Sequence, residues 1–341
     1  MDNQEFLPFY ERAAGFPGYG IGQFLVSALL AIVFLAAHYM SIGNKVFQDW
    51  SWLLAALIAT AMLCLYYASH TLHALLAEMG MRLRADGPAL YRDTVKRTLS
   101  DRNFLLAGLF FGLLNCAFGL FFGIPYSETL ASATILAGYF LAGFVCGMAV
   151  LGIYGVSVSI AAFAPKLKHS FDFTSPDGCG GTQFLGETLV IFSSVTLIVG
   201  VMISVYLLKA DWTRNDAGWI GALKYFWIVF PYLMSLTVLI APAVAINTEL
   251  REYKLRQEGI IQDKLNRIRE RLEKKQLDPT ERKELREDYE FQQGVRKDLH
   301  GMRTWPYGFG ANLTYLGVFV ASLFASVDSA LSWIDKLEKL K

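Results

Sequence analysis

Apolar residues come in long unbroken runs along most of this chain, and the polar residues gather in the stretches between them. A helix rises about 1.5 Å per residue, so about 20 apolar residues are needed to cross a hydrocarbon layer about 30 Å thick. Seven runs meet or approach that length, at about 21–42, 52–76, 104–123, 130–163, 188–208, 219–246 and 309–327. They predict an all-α fold, a polytopic helical membrane protein with about seven spans. The fourth and sixth runs exceed the requirement, which implies tilt, a kink or continuation of the helix into water. Pro231 and Pro242 are the kink points expected in the sixth, because proline lacks the N–H that an inner helical turn uses.

Beyond residue 247 the pattern changes. Ile261, Leu265, Ile268 and Leu272 recur at steps of four, three and four in an otherwise charged stretch, the narrow seam of a coiled coil. After it, Asp278 is placed to cap a second helix, Pro279 suits that helix's first position, and Glu281 stands where a capping box needs it. The second helix carries Leu285, Tyr289, Val295, Leu299 and Met302 and ends near Gly301. The expected organisation is a membrane domain with six spans over 1–247, an antiparallel helical hairpin over 248–306, and a C-terminal membrane helix with a short tail over 307–341. Such a hairpin projects about 35–40 Å. The last segment, 309–327, either crosses the membrane or returns as a re-entrant helix.

Composition agrees with lipid as the solvent. The chain is 54% hydrophobic and 18% charged, against about 25% charged for soluble domains. Fifteen of its 31 Lys and Arg residues and thirteen of its 30 Asp and Glu residues lie between Thr248 and Pro306. The connections alternate in basic content: 24 Lys and Arg residues fall on one side and 3 on the other. By the positive-inside tendency this places the N-terminus, the long loops and the hairpin in the cytosol. The acidic first segment does not resemble a signal peptide, so the first run is read as a retained span. Lys224, near the outer end of the sixth run, is expected to snorkel toward the headgroups. Trp50, Trp52, Tyr66, Tyr67, Trp212, Trp219 and Trp305 mark the expected borders. A net charge of +1 argues against a nucleic-acid partner.

Candidate chemistry is sparse. Cys64, Cys116, Cys146 and Cys179 form no C-x-x-C and are read as small packing residues. His70 and His73 stand three apart on one helix, a pair that could hold a metal but lacks a third ligand at fixed spacing. No Asp, Glu or Arg lies in the central part of a run, which weighs against proton-coupled pumps and voltage sensors. The remaining polar groups, Asn115, Ser193, Ser194, Thr196, Ser235 and Thr237, are the candidate pore-lining residues. Gly108 and Gly112, Gly119 and Gly123, and Gly143 and Gly147 have the spacing that lets helices approach closely in lipid. No nucleophile elbow, zinc-protease motif or intramembrane carboxylate pair is present, so neither an enzymatic activity, nor catalytic residues, nor a cofactor is assigned.

One connection is richer. Residues 172–181 contain a Pro-Asp-Gly turn followed by Gly180 and Gly181 and lead into a helix, a nest in which Asp172, Asp177, Gly178, Gly180 and Gly181 could bind an anionic ligand. This Pro176-Asp177-Gly178-Cys179-Gly180-Gly181 stretch, with Leu185-Gly186 and the later Thr304-Trp305-Pro306-Tyr307, resembles motifs of uncharacterised bacterial multi-spanning membrane proteins. There a P-D-x-A-G-G-L-like loop precedes one span and a T-W-P-F-like element opens the last; here Cys179 and Tyr307 replace Ala and Phe. The resemblance implies architecture and a bacterial source, hence a bacterial inner membrane as the expected location, and carries no activity. The expected function is an oligomeric inner-membrane channel or pore-forming effector coupled to the cytosol through its hairpin. The alternatives are a membrane-anchored scaffold or signalling partner without conduction, or a small-molecule transporter binding at residues 172–181. The expected partners are the lipid bilayer, further copies of the chain, and a cytosolic protein docking on 249–302.

Overall fold

Long apolar runs become long helices. The computed structural model describes residues 9–10, 21–82, 96, 100–124, 126–167, 171–210, 219–273, 278–308, 317 and 319–320. Among these there are eight helices and no strand: α1 Ile21–Ile42, α2 Lys45–Gln48, α3 Ser51–Arg82, α4 Asp101–Phe122, α5 Thr129–Leu167, α6 Gln183–Lys209, α7 Trp219–Leu272 and α8 Pro279–Gly301. Six of them (α1 and α3 to α7) are long and apolar enough to cross a membrane. The seventh expected span, 309–327, lies outside the described residues apart from Gly317, Phe319 and Val320.

Small residues hold the bundle together where lipid supplies no hydrophobic drive between helices. α4 and α5 form the most intimate pair. A methyl group added at Gly143 would stand 2.5 Å from the Phe111 carbonyl oxygen, and one at Gly147 would stand 2.6 Å from that of Ala107. From the other side, Gly108 and Gly112 receive the rings of Phe144 and Phe140, while Gly119 lies under Tyr139. These glycine faces are thus used within the chain. α4 starts where Ser100, in extended backbone, accepts the Asn103 N–H at 3.3 Å, a side-chain cap for an otherwise unpaired donor. It stops at Gly123, whose φ of 85° suits a residue without a side chain.

α7 settles the surplus length of the sixth run: the helix continues for 54 residues, about 80 Å, without a break at residue 247. Pro231 and Pro242 both lie inside it. Buried Lys224, Ile228, Pro231, Ser235, Val238, Pro242 and Ile246 follow one another at steps of three and four, the face that packs against the bundle. This corrects the expectation for Lys224. Its register puts it on the packed stripe, where it is 1% exposed, instead of on the lipid face from which a lysine can snorkel. Tyr66, expected near a border, lies five residues before the end of the candidate span Ser51–Thr71 and is buried edge-on against Tyr10.

The hairpin forms as an antiparallel pair, with Ile261, Leu265 and Ile268 of α7 and Leu285 and Leu299 of α8 all buried. Its turn departs from expectation in one detail. Asp278 holds the N-cap position and Pro279 begins α8, but the Asp278 side chain makes no capping bond. Glu281 instead accepts from Arg271 at 2.9 Å across the turn, so a reciprocal capping box does not form. The hairpin is not a separate body at its base, because one hydrophobic core runs from Ile153, Leu189 and Phe192 through Ile246 and Leu250 to Ile261 and Leu299.

Candidate functional site

The loop before α6 and the segment after α8 meet at the foot of the hairpin. Three glycines of the loop adopt left-handed backbone, Gly178 at φ 62°, Gly180 at 65° and Gly181 at 82°, which explains their residue type. The resulting ring of N–H donors encloses the chain's own carboxylate. Asp177 accepts from the backbone N–H groups of Cys179 at 2.8 Å, Gly181 at 3.0 Å and Gln183 at 3.1 Å. Burial pushes this carboxyl up, but the three N–H donors and the Ser175 hydroxyl outweigh burial and hold it below its ordinary value. The thiol of Cys179 is fully buried beneath the loop, and burial raises its pKa against the opposing pull of Arg303. Asp172 faces water and accepts from the N–H and hydroxyl of Thr174. The nest expected to receive an anionic ligand thus holds Asp177 as its anion.

The Thr304-Trp305-Pro306-Tyr307 element docks on this loop. The Arg303 N–H donates to the Gly178 carbonyl at 2.8 Å, and its guanidinium donates to the Asp177 carbonyl at 2.7 Å. Pro306 lies so close to Gly186 that any side chain there would enter its carbonyl oxygen. The Tyr307 hydroxyl donates to the Leu239 carbonyl on α7. On the hairpin side, the Lys254 ammonium donates to the carbonyls of His300 and Met302, each at 2.9 Å, a cation placed at the negative end of α8. Glu258 pairs with His300 at 3.1 Å and Arg296 at 3.6 Å. The two motifs behind the resemblance are therefore the two halves of one clamp.

The candidate pore-lining residues do not converge on a single lumen. Ser193 and Ser235 are fully buried and bond reciprocally: each hydroxyl donates to the other's carbonyl, at 2.7 and 2.9 Å. Thr196 donates to the Phe192 carbonyl one turn back, and Thr237 to that of Leu233. Thr237 is exposed on the outer face of α7, and Ser194 is half-buried. Asn115 donates to the Tyr139 carbonyl at 3.3 Å, tying α4 to α5. Of the histidine pair, His70 is exposed and the side chain of His73 lies outside the described residues. Among the described residues no three His, Cys, Asp or Glu side chains are grouped to hold a metal.

A polar cluster at the opposite end of the bundle was not foreseen. The Tyr126 hydroxyl donates to the Asp49 carboxylate, which also accepts the Ser51 N–H at 3.2 Å; burial, then this bond, raises the Tyr126 pKa. His38 is completely buried, edge-on to Tyr126, with Nδ1 2.8 Å from the Thr134 hydroxyl. Tyr139 and Tyr206 share a hydroxyl–hydroxyl bond of 2.8 Å. Its members come from α1, the α2–α3 and α4–α5 connections, α5 and α6, so no local spacing announces it. No protein-family model, no curated protein and no solved structure matches this chain.

Proposed function

We propose that the chain is a membrane-anchored scaffold or signalling protein that presents its helical hairpin to a protein partner in the cytosol, with no conduction of its own. The observation that carries this reading is the clamp at the hairpin's foot. It braces a helix that is at once a bundle member and an arm of the hairpin, through Asp177, Arg303 and Lys254. Fixing a projecting pair of helices in one pose lowers the ordering cost of docking on it. The charge asymmetry of the connections supports a cytosolic hairpin.

The test replaces residues 266–288, the outer part of the hairpin beyond the shared core, with a short Gly-Ser turn. The membrane bundle is expected to keep its thermal stability, while photo-crosslinkers placed at exposed Leu255 and Phe291 capture one defined protein from cells only when the hairpin is intact. Purified protein is expected to leave liposomes ion-tight. A second reading, an oligomeric channel, draws on Thr237, whose outward position puts it on a lumen only if several copies assemble. Flux through a defined oligomer, altered by Thr237→Trp, would replace the scaffold reading with the channel.

A further inference from the structure

At the end of the bundle away from the hairpin, a cavity of about 190 Å³ opens to the surface. Ser41 and Lys45 reach it from the α1–α2 side, Tyr126 and Glu128 from the α4–α5 connection. The candidate span of α1 ends at Ile42 and that of α5 begins at Thr129. The cavity therefore lies where the spans leave the hydrocarbon, at the depth of lipid headgroups.

Its lining is rich in acceptors and poor in hydrogens to give. Ser41 donates its hydroxyl hydrogen to the His38 carbonyl at 2.7 Å, and Tyr126 gives its own to the Asp49 carboxylate. Both oxygens can meet a ligand only as acceptors. Behind them Thr134 donates to the Ala131 carbonyl at 3.0 Å, so the hydrogen in its contact with His38 belongs to Nδ1. Nε2 of His38 is then a bare acceptor, fully buried and without a donor. Glu128 adds an exposed carboxylate, and Lys45 is the one cation on the lining. Among the described residues neither of these two side chains has an ion-pair or hydrogen-bond partner.

We propose that this cavity binds the headgroup of an ethanolamine phospholipid, with the primary ammonium on Glu128, Ser41 and Tyr126 and the phosphate on Lys45. An ammonium brings three N–H donors to a wall of acceptors, and a lysine serves phosphate as a point charge. A choline headgroup has no N–H to give, and a glycerol headgroup brings no cation to Glu128. The surroundings favour a lipid over a soluble zwitterion. Met40 and Leu130, next to Ser41 and Ala131, are 85% and 63% exposed, apolar surface of spanning helices that acyl chains cover. The Asp49 and Thr134 bonds hold the wall ready, which lowers the ordering cost of binding. The site is independent of the scaffold reading, since it involves no hairpin residue.

The experiment titrates the full chain in micelles with dioleoyl phosphatidylethanolamine, phosphatidylcholine or phosphatidylglycerol and reads retained lipid by native mass spectrometry. The ethanolamine lipid is expected to bind about tenfold tighter than either of the others. Glu128→Gln should erase the preference over choline, and Lys45→Gln should weaken the ethanolamine and choline lipids alike. Both positions are exposed, and unchanged thermal midpoints will show that the variants fold. Equal retention of the three lipids, or a preference that survives Glu128→Gln, would overturn the site. Glycerophosphoethanolamine, the same headgroup without chains, is expected not to displace the lipid even at about a hundredfold molar excess, because it buries no acyl surface. Displacement would overturn the lipid assignment in favour of a soluble zwitterion. Replacing residues 266–288 is expected to leave lipid retention unchanged, so a failed scaffold test and a failed headgroup test remain distinct.

Discussion

The Arg303 guanidinium donates to the Asp177 carbonyl at 2.7 Å, across 126 positions of sequence. Asp177 therefore works in two directions at once. Its carboxylate organises the loop from within, and its carbonyl receives the segment that closes the hairpin.

Asp177→Ala is expected to lower stability by about 2 kcal/mol, because several N–H groups lose their acceptor in a half-buried place. The pH dependence has a definite sign. The folded carboxyl lies below its ordinary value, so its contribution is complete above the unfolded value of about 3.9 and fades as pH drops through the folded one. Thermal unfolding followed from pH 6 downward should show an acid-side loss in the native protein that is smaller in Asp177→Ala.

Ser193 and Ser235 offer a cleaner pairwise measurement. Each alanine substitution removes one hydroxyl-to-carbonyl arm between α6 and α7, and either one also removes the contact between the two hydroxyl oxygens, which stand 2.7 Å apart. A double-mutant cycle, read by unfolding in bilayer-like micelles, is expected to give a coupling of about 0.6–1.7 kcal/mol. Additive losses would mean that the two hydroxyls act separately.

Glycines should divide by position. Gly143→Ala drives a methyl group into the Phe111 carbonyl, a backbone atom that cannot rotate away, and is expected to cost at least about 2 kcal/mol. Gly259→Ala in the hairpin meets nothing within 4 Å and should stabilise by roughly 0.5–1 kcal/mol through helix propensity. Comparing the two midpoints in denaturant tests the close approach of α4 and α5.

Gly186→Ala should release the Thr304-Trp305-Pro306-Tyr307 element, since Pro306 leaves no room for a side chain. Limited proteolysis is expected to cut near Arg303 in the variant and spare the native chain.

Much of the helical framework was legible in the chain because hydrocarbon length and seam spacing are local signals. The runs at 21–42 and 219–246 and the ending of α8 near Gly301 follow from them directly. Lys224 shows where local reasoning stopped, because its distance from a span end predicted snorkelling while its register with Pro231 and Ser235 decided burial. The loop's glycines signalled unusual backbone, yet their spacing could not reveal that Asp177 would satisfy the donors itself or that Arg303 would be its neighbour.

The unbroken course of α7 has a mechanical corollary. From Pro231 to Leu272 the arm is about 60 Å long, whereas Ser235 is only about 6 Å from the same pivot. A tilt of about 3° at Pro231 would shift the Ser193–Ser235 bond by about 0.3 Å, within the tolerance of a hydrogen bond. The same tilt would sweep the far tip of α7 through about 3 Å. Leverage of this kind turns an adjustment too small to disturb the packed bundle into a displacement that a protein docked at the tip would register.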